Sequence, residues 1–166
     1  MSTLTLISND AVEVLIGPKA KTFCQLLVDL TDDLPDTEKE NCVPLAEVDG
    51  DTLRRIVDWC EHHAAQEKQA EAAFTPSNPR DIPEWDTKFL DLEADDLFEI
   101  TRAANYMNVE PLLEYCVKTI AKNLMGMTTE QMQEYLDIED DFTPEEKEQI
   151  MKENEWAYST TLEDNN

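Results

Sequence analysis

Residues 3–30 read TLTLISNDAVEVLIGPKAKTFCQLLVDL, and the chain changes its period inside that stretch. Thr3-Leu4-Thr5-Leu6 alternates polar with apolar, and Val12-Glu13-Val14-Leu15-Ile16 does much the same, the pattern of half-buried strands. Ser8-Asn9-Asp10 supplies turn residues between them, so the two runs are expected to form a hairpin. Gly17-Pro18 ends it. Beyond that point Phe23, Leu26, Leu27 and Leu30 fall at i, i+3, i+4 and i+7, one face of a helix. A small sheet placed beside helices, an α/β arrangement, is the expectation.

Working outward, residues 31–41 are acidic, contain Pro35 and read as a loop. Val43-Pro44-Leu45 is a short apolar run that fits a third strand at a sheet edge, where proline is tolerated. Asp49-Gly50 opens a helix whose apolar face is Leu53, Ile56, Val57 and Cys60. Residues 68–80 combine Ala, Gln and Glu with Pro76 and Pro79 and read as a flexible linker. Structure is expected again from Ile82-Pro83-Glu84-Trp85. Leu97, Ile100 and Ala104 then share a helix face, with Phe98 beside them. In the next helix Leu112, Leu113, Cys116, Val117, Ile120, Ala121 and Leu124 make a stripe about half the circumference wide, which predicts burial on two sides. Gly126 stops that helix. Thr128 with Gln131, and Thr143-Pro144-Glu145-Glu146, fit capping boxes, and the last helix is expected to run to about Trp156.

The composition narrows the function. Of 166 residues, 38 are acidic and 13 basic, a formal net charge of −25, which repels phosphate backbones and anionic membranes. With 41% hydrophobic residues the chain still has material for a core. MSTLTLISND has no basic and apolar leader, and no stretch reaches the roughly 20 apolar residues of a membrane span. Cys24, Cys42, Cys60 and Cys116 lack C-x-x-C spacing and read as buried thiols, which places the chain in cytoplasm or nucleus.

An active site does not assemble on this pattern. His62 and His63 beside Cys60 lack a second ligand pair for zinc and read as an exposed helix end, with Cys60 on the core face. Three glycines leave no phosphate loop, and Asp137, Glu139, Asp140 and Asp141 lack the central glycine of a calcium loop. No enzyme activity, cofactor or metal is expected. From residue 128 to the end there are thirteen acidic and two basic residues, with Met132, Tyr135, Leu136, Ile138, Phe142, Ile150, Met151 and Trp156 embedded among them. So much apolar surface either packs back on the domain or waits for a partner, since exposing it costs about 25 cal/mol for each Å². Trp156 is the plainest case: a core residue or an anchor in a partner.

Five segments carry a resemblance. Trp59-Cys60-Glu61-His62-His63, Asp81-Ile82-Pro83-Glu84-Trp85-Asp86-Thr87-Lys88-Phe89-Leu90 and Ala103-Ala104-Asn105-Tyr106-Met107 followed by Pro111-Leu112-Leu113 are three of them. Asp140-Asp141-Phe142-Thr143-Pro144-Glu145-Glu146 and Lys152-Glu153-Asn154-Glu155-Trp156 complete the set. In this order they resemble the S-phase kinase-associated adaptor family, the linker subunits of SCF-type ubiquitin ligases. The resemblance implies a BTB/POZ fold, α/β (α+β), in two halves at 1–67 and 81–124 around the 68–80 linker. It also implies an F-box-binding helical extension at 125–158 and a disordered tail at 159–166. By the same resemblance Asn105 and Tyr106 would face a cullin N-terminal domain. Leu113, Val117, Ile120, Ile138, Phe142, Ile150 and Trp156 would build an F-box groove.

Two departures touch the cullin half. Thr101-Arg102 stands where the family has an aliphatic pair, and residues 16–23 are shorter than usual. The leading expectation is a non-enzymatic adaptor between an F-box receptor and a cullin, without nucleic acid or membrane. A second is a divergent F-box-binding paralogue in a kinetochore-like or self-assembling BTB complex, with weak or no cullin binding. A third is an acidic chaperone for basic proteins.

Overall fold

The computed structural model describes residues 3–32, 42–70 and 82–155, the side chains of Asp32 and of residues 67–70 excepted. It divides into two compact units, Met1–Gly126 and Met127–Asn166.

In the first unit β1 (Leu4–Ile7) pairs antiparallel with β2 (Glu13–Ile16) and parallel with β3 (Cys42–Pro44), giving strand order β2-β1-β3. The hairpin follows from the alternation: Leu4 and Leu6 are buried while Thr5 and Ile7 are less so. Its turn is longer than Ser8-Asn9-Asp10 alone. Ser8 N–H donates to Val12 O at 3.0 Å, and Val12 N–H donates to Ser8 Oγ at 2.9 Å. Ala11 takes up the reversal with φ of 61°. Pro44 sits on the edge strand, as its missing N–H requires.

The helix expected to begin at Phe23 is broken in two. Ala20–Phe23 forms a short 3-10 helix, Cys24 is extended, and α1 covers Gln25–Asp32. Leu27 is fully buried, whereas Leu30 is 43% exposed, so the apolar face is narrower than the spacing implied.

α2 (Gly50–Ala70) buries Leu53, Ile56, Val57, Trp59 and Cys60. Its N-terminus is capped twice: Asp49 Oδ1 accepts from Thr52 N–H at 3.0 Å, and Asp10 Oδ1 accepts from Gly50 N–H at 2.9 Å. The hairpin turn thus closes the end of α2. Glycine is required there, because a Cβ at Gly50 would lie 2.6 Å from Val12 Cγ2. The helix runs three residues into the 68–80 stretch read as linker; 71–80 lie outside the described residues. His62 and His63 are consequently inside a helix rather than at its exposed end.

α3 (Glu84–Phe89) is fastened to α2 through a buried carboxylate. Asp86 Oδ1 accepts from Trp59 Nε1–H at 2.7 Å and lies 2.9 Å from His63 Nε2. Its Oδ2 is buried without a hydrogen-bond partner. Outside this link the indole of Trp85 is sandwiched by His62 (3.6 Å, 7°) and Phe89 (5.1 Å, 15°). α4 (Ala94–Tyr106) buries Leu97, Ile100, Ala103 and Ala104, and α5 (Glu110–Leu124) buries Leu112 and Cys116. One core joins these to Leu6, Ile16, Leu27, Leu45 and Leu90. Each such side chain contributes about 1.5–3 kcal/mol, against about 0–1 for exposed pairs such as Arg54–Asp51. Apolar burial therefore decides the fold.

The second unit holds α6 (Thr129–Tyr135) and α7 (Pro144–Glu153), each begun by a complete capping box, Thr128 with Gln131 and Thr143 with Glu146. α7 ends at Glu153, short of the expected Trp156, which lies outside the described residues with the 159–166 tail. Gly126 (φ 87°) closes the first unit, two residues past the 124/125 boundary expected for the extension.

Candidate protein-binding site

The described site residues expected from the resemblance fall on α4 and α5 of the first unit and, in the second, on the connection between α6 and α7 and on α7; Trp156 lies outside the described residues. Asn105 and Tyr106 close α4 and are exposed, Tyr106 by 37%. Their backbone is held from behind. Gln25 N–H donates to Asn108 O at 3.2 Å and Leu26 N–H to Met107 O at 3.3 Å, while Asn108 (φ 52°) turns the chain into α5. One turn earlier, Thr101 Oγ–H donates to Leu97 O at 2.6 Å, and burial pushes the Cys116 thiol up to about 11 against an opposing influence of Thr101. Arg102 pairs with Glu99 at 2.6 Å on the exposed side. The polar departure is thus absorbed within α4 and α5.

On α5 the stripe splits. Leu112 and Cys116 are buried, Leu113 and Ile120 pack half-buried against the core, and Val117 is 53% exposed beside exposed Ala121. Burial on two sides is not observed. Leu112 and Cys116 face the core that α5 shares with α4, whereas Val117 and Ala121 are exposed.

In the second unit no described residue is buried. Ile138 (54%), Phe142 (51%) and Ile150 (39%) are exposed, and Met132, Tyr135 and Leu136 are half-buried. Asp137 (φ 50°) ends α6 and turns the chain toward Ile138, whose N–H donates to Gln133 O at 2.9 Å. Lys147 pairs with Asp140 across the α7 entry. The Thr143 backbone N–H holds the Glu146 carboxyl below the ordinary carboxylate range, and the Thr143 hydroxyl acts the same way. Helices of 7 and 10 residues are too short to persist on propensity alone, so caps and side-chain packing must maintain them.

These surfaces carry exposed apolar side chains in an acidic chain. No group of three or more His, Cys, Asp or Glu among the described residues could hold a metal ion.

Two family models match the chain. The Skp1 family tetramerisation domain covers residues 2–65, from the hairpin through most of α2, and the Skp1 family dimerisation domain covers residues 110–157, from α5 onward. The E3 ubiquitin ligase complex SCF subunit sconC of Arthroderma benhamiae is 36% identical over 156 residues, 93% of this chain and 94% of the relative. Suppressor of kinetochore protein 1 of Schizosaccharomyces pombe is also 36% identical, over 162 residues, 95% and 98% of the two chains. The Talaromyces marneffei sconC is 35% identical over 155 residues, 93% and 96%.

The chain belongs to the Skp1 family. Membership accords with the small sheet beside helices and with a POZ-type first unit. Within this Skp1-family chain, Met125 (80%) is exposed and was not singled out from the sequence, while Met151 (64%), named there among the apolar residues of the C-terminal segment, was left out of the groove set. For Met151 that place in an acidic, apolar-rich segment was the available signal. Asp86 had none, because only the folded chain brings it to Trp59.

Proposed function

We propose that this Skp1-family chain is a non-enzymatic adaptor that joins an F-box substrate receptor to a cullin scaffold in an SCF-type ubiquitin ligase. The observation that carries the reading is the set of large apolar side chains left exposed on α5, in the Asp137–Thr143 connection and on α7 in a chain of net charge −25. Val117, Ile138, Phe142 and Ile150 supply anchors of the kind a partner helix buries, with Leu113 and Ile120 as the floor beneath Val117. Trp156 is assigned to the same set on the sequence motif alone. Several relatives are named as SCF subunits. The adaptor would act by holding receptor and scaffold together, so that transfer to the receptor's substrate becomes effectively intramolecular. Four free cysteines fit a reducing compartment, and cytoplasm and nucleus are proposed for it.

The test is capture of an isolated F-box segment by the full chain. Phe142→Ala and Val117→Asp are each expected to weaken capture by about tenfold or more, both sites being exposed enough to leave folding intact. Unchanged capture in both variants, with circular dichroism as in the parent, would remove the groove assignment.

A second reading keeps the F-box surface but weakens the cullin one. Arg102 favours it, standing exposed and charged on α4 one turn before Tyr106. Direct titration with a cullin N-terminal domain separates the two, with Asn105→Ala and Tyr106→Ala as probes. Micromolar or tighter binding that both variants weaken supports the bridging adaptor.

A further inference from the structure

Cys24 and Cys60 are 36 positions apart in sequence, yet their Sγ atoms lie 3.8 Å from one another. Both are fully buried and free. The approach is shared by their neighbours: Phe23 meets Trp59 edge-on with ring centres 5.8 Å apart. Two backbone segments therefore run alongside each other, the extended residue before α1 and the middle of α2, with consecutive side chains in contact. Apolar packing accounts for the burial of two small side chains, but it does not require the sulfurs to face each other. A disulfide needs about 2.05 Å between sulfurs, so the two sulfurs have to close by under about 2 Å.

We propose that Cys24 and Cys60 are a reversible disulfide site whose oxidant is hydrogen peroxide. One Sγ attacks a peroxide oxygen; the O–O bond breaks, water leaves and a sulfenic acid forms. The second Sγ attacks that sulfur; the S–S bond forms, the S–O bond breaks and a second water leaves. The two thiol protons end in the waters, and the two electrons lost by sulfur reduce the O–O bond.

At rest the pair is quiet. The hydrogen bond with Cys24 and then burial push the Cys60 thiol up, so the nucleophilic thiolate is scarce until the site opens. Hydrogen peroxide, little larger than water, needs less opening than a bulky disulfide reagent. Once made, the bond would fix Cys24, whose next two residues donate their N–H groups to Asn108 O and Met107 O. The link would thereby stiffen the join between α1 and the turn that follows α4.

The experiment treats the full chain with hydrogen peroxide, blocks remaining thiols by alkylation and maps the peptides by mass spectrometry. The dose is set by conversion of exposed Met125 to its sulfoxide. Expected are a Cys24–Cys60 linked peptide lighter by two hydrogens and released by dithiothreitol, slower amide exchange at Gln25 and Leu26, and a Tm raised by about 5–10 °C. Cys24→Ser and Cys60→Ser should each abolish the linked peptide and the rise in Tm. The proposal is overturned if Cys60 remains a thiol at that dose, if it proceeds to the sulfinic acid, or if it links instead to Cys42 or to a second molecule.

Discussion

Asp86 shows what a single carboxylate does when it is taken wholly out of water. One oxygen serves two rings, the Trp59 indole and the His63 imidazole, and so locks α3 onto α2. Removing it leaves a buried indole N–H without an acceptor. Asp86→Ala is expected to cost about 2–4 kcal/mol, read as a lower urea midpoint. His62, one residue before His63, behaves differently. Burial against Trp85 holds its pKa below the ordinary value near 6.5, the neighbouring His63 acts in the same direction, and Asp86 opposes both. The folded chain then binds that proton less readily than the unfolded one, so stability is steady above about pH 6.5 and falls as pH drops below it. His62→Gln should flatten the decline between pH 7 and 5 in urea titrations. Asp49 contributes lower down. The Thr52 N–H depresses its pKa, and that stabilisation is present above the ordinary carboxylate range and lost as pH falls through the folded value.

At the scale of elements, legibility followed the locality of the cause. The two capping boxes, the Asp49 cap of α2 and the edge placement of Pro44 were readable, because each leaves a local signature: a cap contact within three positions, or a proline that lacks its own N–H. The break at Cys24 was not, since it answers to packing against α2, and the α2 histidines were misplaced because their partners come from α3. The open edge of α5 was misread for a related reason: stripe width counts apolar residues but does not say what covers them. The candidate binding residues were named from the resemblance alone, and the exposure of Val117, Ile138, Phe142 and Ile150 was beyond periodicity. α7, like α6, has no buried residue and so depends on its cap. Thr143→Ala is expected to remove about 1 kcal/mol of helix stability, seen as lost helical signal, and to weaken F-box capture several-fold. Restoring capture with Thr143→Ser would assign the loss to the cap.

Taken whole, the molecule couples a strongly acidic surface to apolar contacts, and salt tells which of these governs binding. Surface charge is screened within about 8 Å at physiological ionic strength, whereas buried apolar contacts are not. F-box capture is expected to change by less than about threefold between roughly 0.1 and 0.5 M sodium chloride. A steep loss would instead mark an acidic chaperone for basic proteins. The parallel pairing of β1 with β3 bears on the order in which the chain is made. β1 acquires its β2 neighbour almost at once, but Thr5 meets Cys42 only after the intervening chain has been added. A growing chain emerging from the ribosome therefore carries a hairpin in which β1 also has a bare edge, a template for unwanted pairing, until Leu45 N–H reaches Ile7 O. A fragment released before Cys42 should aggregate under conditions where the complete chain stays dispersed, so the interval of synthesis between α1 and β3 is when this protein most needs a chaperone.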